Sequence, residues 1–267
     1  ESVVIRTYYQ GMESLAWLDS QGQMLRQETP MGWTLARCTA EEALAIRPGS
    51  ASAADLITAL AVPCRGVSGN LTGAQSLTVR LKGASVDTQA LASARQTIAG
   101  LDGGDLRLIL AAQAEPRRTA PIGVFPESAR PWLASIAAVP ADHPVLRRKA
   151  QAILGAETNA WAAARLLNQW VHGNLVQEPT VSLPAALDVL ERGAGDCNEH
   201  TILFVALARA AGIPARFHAG LVYAALPGRP GAFYYHAWPS VFVGEWVEMD
   251  PTHGLDRVGA SHLAVTE

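Results

Sequence analysis

The sequence predicts an α+β protein in which a β-rich N-terminal domain, residues 1–128, precedes a second domain, residues 129–267. Three observations support this prediction. Short alternating segments bounded by turn residues dominate the N-terminal part. An apolar stripe at helical spacing begins at Ala160, and a second, buried helix begins at Cys197. Two adjacent strand-like segments within residues 234–250 then predict an antiparallel pair.

Composition restricts the class of protein. The 267 residues suffice for two compact units or one large unit. With 49% apolar and 17% charged residues, the chain is predicted to form a core, and disorder is excluded. A net charge of −3 with dispersed Lys and Arg disfavours nucleic acid as a partner. Every apolar run is interrupted before the roughly 20 residues that a bilayer requires, so no membrane span is expected in this chain.

The chain start and the cysteines predict a location outside the cytoplasm. Because the sequence opens with Glu1 rather than Met, we expect that a preceding segment, such as a signal peptide or lipid anchor, has been removed. Cys38 and Cys64 are predicted to form a disulfide, leaving Cys197 as a free thiol. The alternative is three buried thiols. The disulfide and the removed segment together predict a periplasmic or secreted protein.

The N-terminal domain alternates strand and turn patterns. Strands are predicted at 2–9, 15–18, 24–28, 76–81 and 105–110, and short helices at 40–46 and 53–61. The tetrapeptide Asp19-Ser20-Gln21-Gly22 predicts a hairpin turn. No catalytic set of residues is found in this part. Between Glu115 and Pro144 lie six of the sixteen prolines, which predicts a linker or an extended segment that wraps the surface.

Beyond the proline-rich segment, a helix is predicted from residue 160. Its apolar positions are Ala160, Ala163, Ala164, Leu167, Trp170 and Val171. This spacing is that of an apolar helix stripe. Gly173 is predicted to end the helix.

The strongest local chemical signal surrounds Cys197. Gly193 and Gly195 allow a tight approach of the backbone, and Asp196 and Glu199 have the spacing of a capping box. The helix is therefore predicted to begin at Cys197, and its downstream part is apolar on nearly every face. A cysteine in the first turn of a helix lies at the positive end of the macrodipole, which stabilises the thiolate. We therefore expect a nucleophilic Cys197 with a lowered pKa.

The C-terminal strand pair predicts a partner for the nucleophile. With Val243 and Gly244 as a two-residue loop, the register places His236 opposite Pro251 and next to Asp250. Cross-strand neighbours lie about 5 Å apart, so the imidazole can donate a hydrogen bond to the carboxylate. A thiol, a base and a group that orients the base are the requirements of nucleophilic catalysis.

Three blocks resemble, in order, the signature of the transglutaminase-like superfamily. They are Gly195-Asp196-Cys197-Asn198-Glu199-His200, Tyr235-His236-Ala237-Trp238 and Val247-Glu248-Met249-Asp250-Pro251-Thr252. The resemblance covers residues 131–267, and the ending Ser261-His262-Leu263 is similar to that of bacterial members. It implies a papain-like α+β core in which the cysteine helix packs on an antiparallel sheet. It also implies that Cys197 is the nucleophile, His236 the general base and acid, and Asp250 the group that orients the imidazole.

The implied reaction is acyl transfer from an amide or ester of a peptide or protein substrate. Cys197 attacks the carbonyl, His236 protonates the leaving amine, and water or another amine resolves the thioester. This chemistry requires no cofactor. The oxyanion donor is the backbone N–H of Cys197 or a side chain from residues 169–174, and the sequence does not choose between them. No oligomeric state is predicted.

Other functions follow from the same residues. A zinc site could combine Cys197 with His200, with His218 and His253 nearby, but the sequence has no CxxC or HExxH. We therefore expect no metal and structural roles for these three histidines. The leading function is hydrolysis of peptide or amide bonds. The alternatives are a protein-glutamine transglutaminase and a catalytically silent scaffold with a transglutaminase-like fold.

Overall fold

The computed structural model describes residues 2–9, 12–28, 34–45, 61–67, 69–71, 73–82, 91–102, 105–178, 185–225 and 231–266. The chain divides into two compact units, Glu1–Ser52 and Ala53–Glu267. The division expected between residues 128 and 129 falls inside the second unit and stays a prediction. None of the described helices is long and apolar enough to cross a membrane.

The N-terminal unit is a four-stranded antiparallel sheet with strand order β1-β2-β3-β4. Its elements are β1 (Val3–Tyr9), β2 (Met12–Leu18), β3 (Met24–Glu28), β4 (Thr34–Ala36) and the short helix α1 (Ala40–Ala45). The predicted turn between β2 and β3 is confirmed, because Asp19 accepts backbone hydrogen bonds from Gln21 and Gln23 at 2.9 Å and Gly22 has a φ of 76°. Residues 53–60 of the helix predicted at 53–61 lie outside the described residues.

The second unit begins with a small antiparallel sheet of order β6-β8-β7. Its strands are β6 (Ser76–Leu81), β7 (Gln96–Asp102) and β8 (Asp105–Ala111), preceded by the two-residue strand β5 (Val62–Pro63). The alternation of Leu106, Leu108 and Leu110 buries one side of β8. These leucines form one apolar cluster with Leu91 and with Leu263 near the C-terminus. The small sheet thus packs against the C-terminal strand.

The proline-rich segment is extended and bound to the surface of the second unit. Ala120 donates a backbone hydrogen bond to Val243 at 2.7 Å and accepts one from Ala160 at 2.9 Å. A 3-10 helix (Glu127–Leu133) follows, and Arg209 donates to the carbonyl of Ala134 at 2.7 Å. Of the two predicted alternatives, the structure therefore shows the wrapping segment.

Four helices form the helical half of the core. They are α2 (Pro144–Leu154), α3 (Ala160–Asn174), α4 (Ala186–Arg192) and α5 (Cys197–Ala210), with the parallel strands β9 (Val176–Gln177) and β10 (Ala194–Gly195) between them. The α5 helix is central, since Leu203, Phe204 and Leu207 are completely buried. The α3 helix ends at Asn174, one residue beyond the predicted Gly173.

The main sheet carries the rest of the core. Its strands are β11 (Ala215–Ala224), β12 (Ala232–Phe242), β13 (Trp246–Glu248) and β14 (His262–Thr266), in the antiparallel order β13-β12-β11-β14. The short strand β5 also pairs with β12. One apolar cluster joins α5 to Val241, Val247 and Met249. The predicted α+β class, with the cysteine helix packed on an antiparallel sheet, is thereby confirmed.

The turn between β12 and β13 corrects the predicted register. Phe242 pairs with Trp246, so the loop is Val243-Gly244-Glu245 and contains three residues rather than two. Gly244 has a φ of 124°, and a Cβ there would lie 2.6 Å from the carbonyl oxygen of Arg118. A glycine is therefore required where the prolines pass over the turn. The ladder ends at Glu248, and Asp250 lies beyond β13 in a separate bridge with Leu255.

Candidate active site

Cys197 is the first residue of α5, as predicted. Asp196 is the N-cap and accepts the backbone N–H of Asn198 at 2.8 Å, while Glu199 accepts the backbone N–H of Asp196 at 2.9 Å. The capping box is complete. Gly195 is required because a Cβ there would lie 2.2 Å from the Cβ of Glu199. The local sequence thus determines where the helix begins and places the thiol at its start.

Contacts between α5 and β12 bring the cysteine and histidine motifs together. Thr201 donates its hydroxyl to the carbonyl of Ala237 at 3.1 Å. The backbone of Ala237 also hydrogen-bonds the Cys197 side chain, a contact that favours the thiolate but is outweighed by burial of the thiol. Ala237 directly follows His236 on β12. The predicted nucleophile Cys197 therefore lies beside the residue that follows the predicted base.

The electrostatic environment of the thiol differs from the expected one. Burial raises the pKa of Cys197 to about 12, together with the negative charges of Asp196, Asp250 and Glu199. The expectation that the helix start lowers this pKa is therefore wrong. The same capping carboxylates that begin the helix surround the sulfur with negative charge, and partial burial disfavours the thiolate. At neutral pH the resting thiol keeps its proton.

His236 and Asp250 meet as predicted, although the register differs. The two side chains are buried, and His236 Nε2 lies 2.8 Å from Asp250 Oδ2. Burial alone would raise the pKa of Asp250, but the charge of His236 and hydrogen bonds from three histidines hold that pKa well below its usual range. An ionised carboxylate only accepts, so Nε2 carries the proton. When the ring is neutral, Nδ1 then keeps its lone pair.

Two further histidines share the same carboxylate oxygen. His253 Nδ1 lies 2.7 Å and His262 Nε2 lies 3.0 Å from Asp250 Oδ2. The other oxygen accepts the backbone N–H groups of Thr252 and His253 at 2.9 and 3.2 Å. The hydrogen bond to Asp250 raises the pKa of His253, whereas burial lowers the pKa of His262.

The sequence reasoning did not assign these two residues to the site. It interpreted His253 as structural and quoted His262 only within the terminal resemblance. His253 stands three residues after Asp250, which is a usable local signal. No local pattern connects His262 to that carboxylate, because β14 reaches it only through the sheet. The donor atoms of His236, Asp250, His253 and His262 all lie within 4.8 Å of one another, so this set can hold a metal ion.

A buried ion pair lies behind Trp238, the residue whose ring stacks on His236. The Trp238 ring lies 5.9 Å from the His236 ring, and the planes are inclined by 21°. The Trp238 N–H donates to Glu248 at 2.8 Å, and Arg95 donates to the same carboxylate at 2.8 Å through Nε and again through Nη2. Burial would raise the pKa of Glu248, but Arg95 holds it at about 2. The sequence reasoning found no role for Arg95.

His200, His218 and Asn174 form hydrogen-bonding contacts outside the His236–Asp250 pair. His200 Nδ1 lies 2.7 Å from the carbonyl of Asp196, and His218 Nε2 lies 2.8 Å from the hydroxyl of Ser240. These contacts agree with the structural roles expected for both. In the 169–174 stretch, Asn174 donates its amide to the carbonyl of Trp170 at 2.8 Å.

The predicted disulfide does not form. Cys38, Cys64 and Cys197 are all free, so the expectation of a Cys38–Cys64 bridge is wrong. The two residues belong to different compact units, and the Cys64 thiol donates instead to the carbonyl of Gly231 at 3.3 Å. Without the disulfide, the location outside the cytoplasm stays a prediction.

Comparisons with known proteins agree with this fold. Residues 147–251 match the family model of the transglutaminase-like superfamily, and this range includes Cys197, His236 and Asp250. The predicted resemblance is thereby confirmed. A candidate cysteine protease from Cytophaga hutchinsonii is 18% identical with a TM-score of 0.51, and the match covers 72% of this chain and 76% of that chain.

A second solved structure is the periplasmic domain of TgpA from Pseudomonas aeruginosa. It is 21% identical with a TM-score of 0.41, and the match covers 56% of this chain and 54% of that chain. No curated protein matches this chain.

Proposed function

We propose that this chain is a cysteine-dependent acyltransferase that hydrolyses peptide or amide bonds through a thioester. One observation carries the proposal. His236 Nε2 lies 2.8 Å from the buried Asp250 carboxylate, and the following residue hydrogen-bonds the thiol of Cys197 at a helix start. A nucleophile, a base and a group that orients the base are the parts of a catalytic triad.

The first step in the proposed mechanism is proton transfer. Because Nε2 donates to Asp250, the lone pair of His236 Nδ1 is the available base. The Cys197 thiol has a raised pKa and does not supply a resting thiolate. Its proton therefore moves to Nδ1 as the sulfur attacks the substrate carbonyl, in the manner of a serine triad. Asp250 stabilises the imidazolium that results.

The later steps return each proton. The carbonyl oxygen becomes an oxyanion, for which the backbone N–H of Cys197 at the helix start is the proposed donor. His236 then gives its proton to the leaving amine, and the C–N bond breaks to leave a thioester. Water adds to the thioester with His236 as the base, and the product acid leaves as Cys197 regains its proton. If an amine replaces water, the product is a new amide.

Mass spectrometry of a peptide library incubated with the enzyme and a primary amine tests the proposal. Cleaved peptides are the expected result. Amine adducts on glutamine without cleavage would assign the transglutaminase alternative, and neither product would assign the silent scaffold. Cys197→Ala should abolish the products, while the matched variant Cys38→Ser should retain them, because Cys38 is an exposed thiol of the N-terminal unit.

A further inference from the structure

Three imidazoles converge on one buried carboxylate, which is more than a catalytic triad requires. We propose that His236, Asp250, His253 and His262 form a binding site for a divalent transition-metal ion such as Zn²⁺, and that binding of this ion switches the triad off. The binding half of the proposal stands on the geometry alone. The inhibitory half rests on the proposed function.

The donor atoms suit zinc in kind and in spacing. Three imidazole nitrogens and one carboxylate oxygen form a set that Zn²⁺ prefers. The three nitrogens lie 2.8, 2.7 and 3.0 Å from Asp250 Oδ2. With metal–ligand distances of about 2.0–2.2 Å, the edges of a tetrahedral zinc site are about 3.3 Å long. Coordination therefore requires the nitrogens to move slightly away from Asp250 Oδ2 and to close around the ion from their present spacing, in which all four donor atoms lie within 4.8 Å of one another.

Burial and supporting contacts also fit a metal site. Asp250, His236 and His262 are buried, whereas the His253 side chain is 46% exposed and provides a path from solvent. Ser261 Oγ lies 3.3 Å from His262 Nδ1, the ring nitrogen that faces away from Asp250. A hydrogen bond to the second nitrogen is what orients a metal-binding histidine in many sites.

Metal binding would block the base through the position of one proton. In the working triad, His236 Nε2 carries the proton and Nδ1 carries the lone pair. A metal ion takes the lone pair of Nε2, and the ring proton then resides on Nδ1 with no net gain or loss. Nδ1 can no longer accept the proton of the Cys197 thiol. The sulfur stays protonated, and attack on the substrate stops.

The competing location for an inhibitory ion is the thiol itself, because soft metals prefer sulfur ligands. Titration calorimetry of Zn²⁺ into the Cys197→Ala variant separates the two locations. This variant needs no turnover, so the result does not depend on the proposed function. Binding that survives the substitution is the expected outcome. Loss of binding would place the ion on the sulfur and overturn the proposal.

Substitution of the exposed ligand tests the site directly. In the Cys197→Ala background, His253→Gln should weaken Zn²⁺ binding at least tenfold, since even removal of an outer hydrogen-bonding partner costs about 10–100-fold in metal affinity. His262→Gln is a second ligand variant, checked for folding by circular dichroism. His143→Asn is the matched control, because His143 is a partly exposed histidine that caps α2, outside the proposed ligand set, and Asn preserves the cap. Unchanged affinity in His253→Gln would contradict the site.

Activity measurements test the inhibitory half. Turnover by the wild-type chain should fall as Zn²⁺ saturates the site and return when a chelator is added, while the chelator alone should have no effect. His253→Gln, compared with its own rate in the absence of metal, should require at least about tenfold more Zn²⁺ for the same inhibition. Full turnover at saturating Zn²⁺ would overturn the switch but leave the binding site. Absence of any turnover would instead contradict the proposed function.

Discussion

The regions around Glu248 and Asp250 neutralise buried carboxylates in different ways, although the two residues are close in sequence. Glu248 is paired with the guanidinium of Arg95 and the indole of Trp238, neither of which changes protonation near neutral pH. Asp250 is surrounded by three imidazoles, and an imidazole ring can gain or lose a proton or bind a metal ion. The pKa of each carboxyl is lowered. The first region is a fixed anchor, whereas the second can exchange protons or ligands.

Trp238 connects the two regions. Its ring stacks against His236, and its N–H is bound to Glu248. Arg95 directly precedes β7, so the small sheet is linked through Glu248 and Trp238 to His236. Gln96 adds a second link, since its amide donates to the carbonyl of Ala264 at 3.0 Å. We therefore expect substitutions in the anchor region to lower mainly the free energy of unfolding, and substitutions among the imidazoles to lower mainly the proposed activity.

The largest effect is expected from Asp250→Asn. The amide can present an N–H to His236 Nε2 and select the wrong tautomer, which in a serine triad costs about 10⁴ in rate. The fold should persist in circular dichroism, while kcat/KM on a cleaved peptide collapses. His236→Ala should lose at least as much activity. Near-normal turnover in Asp250→Asn would remove this carboxylate from the mechanism.

The next effect concerns the anchor. Arg95→Met leaves the charge of Glu248 buried without its cation, and breaking a buried pair in this way costs about 3–5 kcal/mol. Urea unfolding should show this loss. The double variant Arg95→Met/Glu248→Leu should recover much of it, because no unpaired charge remains. A loss in Arg95→Met of below about 1 kcal/mol would mean that the pair is not an anchor.

The acid dependence of stability should distinguish Glu248 from an exposed acid. Arg95 depresses the folded-state pKa of Glu248 to about 2, so its stabilisation is present above the ordinary value of 4.5 and is lost as pH falls towards 2. The shift corresponds to about 3 kcal/mol. Glu248→Gln should flatten the unfolding free energy across this range. The control Glu127→Gln, at an exposed ion pair, should leave the pH profile unchanged.

A smaller effect is expected from Trp238→Phe. The ring that stacks on His236 remains, but the hydrogen bond to the charged Glu248 is lost at a cost of about 1.5–3 kcal/mol in unfolding free energy. Activity should stay within about tenfold of wild type, because the ring that holds His236 in place remains. A tenfold change in rate corresponds to about 1.4 kcal/mol in the activation barrier. A loss as large as that of Asp250→Asn would show that the indole N–H itself is needed for catalysis.

The smallest effect is expected at the thiol. Asp196→Asn keeps a good N-cap but removes a negative charge that raises the pKa of Cys197. Alkylation of Cys197 by iodoacetamide at about pH 8 should therefore accelerate, by less than about fivefold because a near-surface charge contributes on the order of 1 kcal/mol or less. Peptide mass mapping should show the exposed Cys38 reacting faster than Cys197 and at an unchanged rate. Slower alkylation of Cys197 would contradict the charge effect.

Local interactions made several parts of this protein predictable from its sequence. Asp196 and Glu199 predicted the start of α5, and the apolar spacing predicted α3, because helix caps and helix faces are interactions within a few residues. The order of the three motif blocks predicted the family resemblance, and the expected strand pair predicted the contact of His236 with Asp250. The predicted turn was one residue too short, but the predicted contact still forms, because Asp250 lies beyond the last paired residue of β13.

The tertiary structure alone decided the electrostatics and the long-range partners. A pKa depends on burial and on charges nearby in space, which is why the raised pKa of Cys197 contradicts the expectation from its helix position. Arg95 reaches Glu248, and His262 reaches Asp250, only after separate strands assemble into sheets. No local pattern encodes such distances. The number of cysteines likewise does not specify which thiols pair, and Cys38 and Cys64 are both free.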